Sequence, residues 1–74
     1  MKYLTFNQDG VPTLIAFTSN FSHAQVARSM GIREVRSAGF ICRTSDGMFC
    51  HGASESLKVG SLVSDSKLAS FLFQ

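Results

Sequence analysis

A chain of 74 residues with seven Lys and Arg against five Asp and Glu has room for one domain, 1–74, and no second. Its hydrophobic fraction of 45%, with seven Phe, suffices for a small core, and a net charge of +2 is too small to point by itself to a polyanionic ligand. Only 16% of the residues are charged and eleven serines supply much of the remaining polarity; such an exterior repels partners little, which favours self-association or a protein partner.

The first residues, Met1-Lys2-Tyr-Leu-Thr-Phe, lose their apolar character at Asn7. Neither a signal peptide nor a membrane span fits so short a run, so a cytoplasmic location without membrane contact is expected. In that compartment Cys42 and Cys50 are expected as free thiols.

Lys2 to Asn7 reads as a strand, because Tyr, Leu, Thr and Phe suit a pleated surface. Asp9-Gly10 supplies positive φ at both centres of a tight hairpin turn, and Val11 to Phe17 is the return strand. A two-residue turn sets Lys2 opposite Phe17, Leu4 opposite Ile15 and Phe6 opposite Thr13. Leu4, Phe6, Ile15 and Phe17 then share one apolar face, and Tyr3, Thr5, Leu14 and Ala16 form the other, more tolerant of water. Pro12 falls where its missing N–H points away from the first strand, which makes the second strand an edge there.

Ser22 and Gln25 have the spacing of a capping box and Phe21 with Val26 that of a hydrophobic staple. They predict a helix of about nine residues ending at Gly31, with Val26, Ala27 and Met30 on its buried face. Glu34 to Thr44 and Met48 to about Ala53 are predicted as a second hairpin around Ser45-Asp46-Gly47. An Asp46-Gly47 turn sets Cys42 opposite His51 and gathers Phe40, Cys42 and Phe49 on the core face, whereas a three-residue loop sets Cys42 opposite Cys50. Ser54 to Val63 reads as a loop in which Leu57 and Val59 alternate as a short strand would. Ser64 is the expected cap of a second helix, with Asp65 favourable in its first turn, Val63 stapled to Leu68, and Leu68, Phe71 and Leu72 as its buried stripe.

Few residues carry recognisable chemistry. Cys42, Cys50, His23 and His51 lack the paired close spacing of a zinc site, so no metal or other cofactor is expected. Cys50, His51, Ser54, Glu55 and Ser56 are close in sequence, but strand neighbours point to opposite faces, which argues against a thiol or serine hydrolase. Cys42 is expected to pack as a small hydrophobe and His51 to sit at the sheet surface. Gly39 and Gly52, inside strand patterns, mark a bulge or the close approach of another backbone, expected to be that of the second helix, with a ligand or partner strand laid along the sheet as the functional alternative.

Ser37-Ala38-Gly39-Phe40 and Cys50-His51-Gly52-Ala53-Ser54-Glu55-Ser56-Leu57, together with the segments Ser22 to Ala27 and Ser64 to Leu68, resemble a group of small uncharacterised proteins of bacterial genomes and their prophages. The resemblance implies one small α+β domain of mobile-element origin. It transfers no catalytic or binding residue, because no activity is assigned to the group.

The fold expected is α+β, a ββαββα domain whose mainly antiparallel sheet carries both helices on one face. The function expected is a small non-enzymatic protein-interaction module that binds a protein partner or forms a weak homodimer. A nucleic-acid-associated accessory protein using Arg28, Arg33, Arg36 and Arg43 is the alternative. The candidate binding surface comprises Leu14, Ala16, Arg33, Arg36, Arg43 and His51, with the uncharged second strand as a docking edge.

Overall fold

The computed structural model describes residues 1–73. β1 (Lys2–Gln8) and β2 (Val11–Phe17) form an antiparallel hairpin in the register that a two-residue turn dictates, from Lys2 opposite Phe17 to Gln8 opposite Val11. Asp9 and Gly10 both take positive φ, 53° and 82°, the combination whose twist matches the flanking strands.

α1 (His23–Ser29) starts on the capping box. The Gln25 amide donates to Ser22 Oγ at 3.0 Å and the Ser22 amide to Gln25 Oε1 at 2.7 Å. It ends with Gly31 at φ 69°, where the Gly31 amide reaches the Arg28 carbonyl and the Ile32 amide the Ala27 carbonyl. These two bonds close the helix as a Schellman motif.

β3 (Ser37–Thr44) pairs with β1, and β4 (Gly47–His51) with β3, giving an antiparallel sheet of order β2-β1-β3-β4. The second hairpin differs from expectation by two residues: Cys42 lies opposite Phe49 and His51 opposite Phe40. The turn is Ser45-Asp46, because the Thr44 hydroxyl holds it from within, accepting from the Asp46 amide and donating to the Gly47 carbonyl at 3.0 Å. A shift of two preserves the alternation, so Phe40, Cys42, Phe49 and His51 still share a face, but all four are exposed and it is not the core face expected for Phe40, Cys42 and Phe49.

The chain then turns at Gly52 (φ 79°) into a two-residue pair, β5 (Ala53–Ser54) with β6 (Val59–Gly60), where a loop was expected. Ser54, fully buried, organises its turn: its hydroxyl accepts from the Leu57 amide at 3.1 Å and its carbonyl from the Lys58 amide at 2.9 Å. Gly39 is needed because the His51 carbonyl and Gly52 backbone lie where its Cβ would be. The close approach is therefore made by the β4–β5 bend and not by the second helix.

α2 (Asp65–Leu72) completes the element order, and the two helices cover opposite faces of the sheet rather than one. Ala27 of α1 packs with Leu4 and Ala38 on the first face. Ala69 of α2 packs with Tyr3, Leu14, Ile41 and Cys50 on the second. The reason is in the strands: both sets of alternating side chains are apolar, so both faces need cover. Tyr3, Thr5 and Leu14, assigned above to the wetter face, are buried.

Each helix buries a narrower stripe than its apolar pattern suggests. Met30 at the C-cap of α1 and Phe71 and Leu72 of α2 are exposed, and the buried positions are His23 with Ala27 and Asp65 with Ala69. Small alanines let each axis lie close to the sheet, which leaves the bulkier neighbours on the flanks. Ser64 makes no capping bond and Val63 is fully exposed, so the expected cap and staple of α2 are absent.

Candidate interaction surface

The two edges of the four-stranded sheet are treated differently. In β1 the carbonyls of Met1 and Thr5 accept from Ile41 and Arg36 on the β3 side. Its even-numbered residues therefore bond to β2, and by alternation the backbone groups of Pro12, Leu14 and Ala16 point outward from β2. Pro12 offers a carbonyl only. Leu14 and Ala16 each present an N–H and a carbonyl, with no backbone partner outside the hairpin among the described residues.

At the other edge the outward amides of β4 are those of Met48 and Cys50, and α2 covers both. The Met48 amide donates to Ser70 Oγ at 3.0 Å and the Cys50 amide to Ser66 Oγ at 2.8 Å. Ser70 Oγ also faces the Met48 carbonyl at 3.4 Å. The spacings match: four residues of helix rise about 6 Å and two residues of strand about 6.6 Å. Ser66 and Ser70 thus read β4 as a partner strand would, and the edge is closed from within the chain.

Below α2 a buried polar lock fixes the helix in place. Tyr3 Oη donates to Asp65 Oδ2 at 2.5 Å, and the same oxygen accepts from the Leu62 amide at 2.8 Å. Asp65 is fully buried, and its Oδ1 has no hydrogen-bond partner among the described residues. Burial, then the hydrogen bond and charge of Asp65, push the Tyr3 phenol well above its ordinary value. Burial first and the charge of Asp65 second push the Cys50 thiol up to about 11. A thiol held in that state is a poor nucleophile.

The candidate residues separate into groups. Ala16 and Arg43 line one groove of about 280 Å³ on the α2 face, with Met1, Ile41, Met48 and Phe73. Leu14 is buried in the adjoining core, so only its backbone can meet a partner. Arg33 and Arg36 are exposed at the opposite end of the sheet, near Asn7. Seven residues of extended chain, roughly 23 Å, separate Arg36 from Arg43. Arg28 lies in the last turn of α1.

His51 is exposed on the α1 face, stacked between Phe49 (ring centroids 5.3 Å apart) and Phe40 (6.0 Å). The row continues inward, since buried His23 packs nearly at right angles to Phe40 and Phe17, and its Nε2 lies 2.9 Å from the Gly39 carbonyl. Cys50 and His51 point to opposite faces, the Ser54 hydroxyl is tied to Leu57 and Ser56, and His23 Nε2 is taken by the Gly39 carbonyl, so among the described residues no hydrogen bond joins a thiol or serine hydroxyl to an imidazole. Cys42 is exposed, and Cys50 is the cysteine that packs as a hydrophobe. Among the described residues no three His, Cys, Asp or Glu side chains converge, and no helix is long and apolar enough to cross a membrane.

The capping serines and the Tyr3–Asp65 pair went unread in the sequence. One signal for the serines was available, since Ser66 and Ser70 stand one helical turn apart on the same face. Comparison with protein-family models, with curated proteins and with solved structures returned no match to this chain.

Proposed function

We propose that this protein is a small non-enzymatic interaction module that binds an extended strand of a protein partner along β2. The observation carrying this reading is the contrast between the edges. A bare strand edge is an aggregation hazard that small domains cover, and this chain spends two serines of α2 on covering β4 while β2 stays open. β2 also carries no charged residue of its own, so nothing on it repels an incoming strand. Main-chain bonds to Leu14 and Ala16 would give affinity, and the groove beside Ala16 would receive an alternate side chain and give selectivity.

The nucleic-acid alternative draws less support, because phosphate binding gains from cations gathered on one face and Arg43 lies at the opposite end of the sheet from Arg33 and Arg36. An origin in a mobile element fits the resemblance of the short motifs and adds nothing to the choice of edge.

Photo-crosslinking from Val11 and Thr13 in living cells, with Arg36 and Phe49 as comparison positions, tests the reading. Adducts to protein from the β2 positions, lost on Ala16→Pro, are expected. Adducts confined to Arg36 or Phe49, or to nucleic acid, would overturn it.

A further inference from the structure

We infer that the strand received by β2 is β2 of a second copy, paired antiparallel about a two-fold axis at Ile15, so that two sheets join into one of eight strands. This rests on the reading of β2 as the binding edge and goes further by naming the occupant and its register.

Two copies of one strand satisfy each other only in registers allowed by their outward groups. Opposing Leu14 to Leu14 sets Pro12 against Ala16 of the partner subunit, and the proline ring then points at a carbonyl that needs a donor. Opposing Ala16 to Ala16 requires Thr18 to complete the ladder, but Thr18 lies beyond the strand and its carbonyl already accepts from Phe21 at 3.4 Å. Opposing Leu14 to Ala16 uses every outward N–H and carbonyl of both residues in four bonds, with Pro12 beyond the ladder. Ile15 then faces Ile15 of the partner subunit as a non-hydrogen-bonded pair, with Thr13 facing the partner's Phe17.

The surroundings of the edge suit a second copy. The strand is uncharged, so bringing it against itself opposes no like charges. On the α2 face Met1 is 62% exposed and Phe73 38%, and both line the groove that also includes Ala16. In the proposed register the backbone of the partner's Leu14 lies beside Ala16, which places the grooves of the two copies on the same face of the joined sheet. An isologous contact of this kind closes on itself and leaves no free edge to propagate, because α2 caps β4 in both copies.

The test combines sedimentation with register-specific disulfides. The wild-type chain is expected to pass from monomer to dimer across a concentration series, and Ala16→Lys to lose the dimer. In a Cys42→Ser background, Ile15→Cys is expected to cross-link to itself under mild oxidation, since a non-hydrogen-bonded pair has Cα atoms about 4.5 Å apart, within disulfide range. Should Ile15→Cys fold poorly, a mixture of Thr13→Cys and Phe17→Cys chains reads the same register and is expected to form the mixed dimer. A wild-type chain monomeric at every concentration overturns the inference, as does cross-linking of Thr13→Cys to Ile15→Cys in preference to Ile15→Cys with itself. A monomer that still gives heteromeric photo-adducts from Val11 or Thr13 overturns the homodimer alone, whereas a monomer without such adducts overturns the edge reading too.

Discussion

The Ser66 hydroxyl stands 2.8 Å from the Cys50 amide, so that a helix supplies the hydrogen bond a neighbouring strand would otherwise make. Together with Ser70 at Met48, this contact covers one edge of the sheet and leaves β2 as the uncovered edge.

Ser66→Ala should therefore uncover an amide rather than merely trim a surface. Loss of one hydrogen bond of this kind costs about 0.5–1.5 kcal/mol, and the double variant Ser66→Ala/Ser70→Ala should approach twice that. Chemical denaturation gives the stability, and the exchange rate of the Cys50 amide gives the local effect. A Cys50 amide protected equally well in the variant would show that α2 is not what closes this edge.

Tyr3 and Asp65 join the first strand to the last helix, and their bond is made in a fully buried site. Tyr3→Phe leaves the Asp65 carboxyl short of a second partner and should cost about 1–3 kcal/mol. A wild-type denaturation midpoint in Tyr3→Phe would remove the lock from the account.

The same site sets a response to alkali. Both the Tyr3 phenol and the Cys50 thiol are held protonated in the fold above their ordinary values of 10.0 and 9.0. A raised acid contributes stability that is complete below its unfolded pKa and is lost as pH rises toward the folded one. Stability should be level from neutrality to about pH 9, fall as the unfolded thiol ionises between 9.0 and about 11, and continue to fall above 10.0 as the unfolded phenol ionises. Cys50→Ala should delay the onset of the fall. Urea midpoints measured across this range give the curve, and a level profile through pH 11 would contradict it.

The two thiols should react at different rates. Cys42 is exposed and Cys50 is buried on the other face, with its thiol pushed up to about 11. Thiol titration of the native protein without reductant should show one fast equivalent, and a second only on unfolding. Two fast equivalents would show that α2 does not shield Cys50, and none would reveal a disulfide incompatible with the register of β3 and β4.

Local signals made much of this fold legible from the sequence. Asp9-Gly10 fixes the first hairpin because its turn type follows from two residues, and Ser22 with Gln25 fixes the start of α1 for the same reason. Pro12 marks β2 as an edge by its missing donor alone. What stayed hidden depends on residues distant in the chain. Ser64, Asp65 and Val63 have the pattern of a solvent-facing helix start, but Asp65 is drawn inward by Tyr3, and the helix docks through Asp65 and Ala69 instead of Phe71 and Leu72. The choice of one or two covered faces depends on where α2 lands, and its position rests on long-range partners: the Met48 and Cys50 amides met by Ser70 and Ser66, the Tyr3–Asp65 bond and the core around Ala69. The candidate surface was legible in part for a related reason: an open edge can be inferred from Pro12 and a lack of charge, whereas the convergence of arginines requires their positions in space.

Amide hydrogen exchange at four positions tests the difference between the edges most directly. In dilute protein the amides of Leu14 and Ala16 should exchange rapidly while those of Met48 and Cys50 remain protected, and raising the concentration should slow Leu14 and Ala16 alone. Leu14 and Ala16 protected at every dilution, or Met48 and Cys50 exchanging as fast as they do, would contradict the account of β2 as the open, partner-binding edge.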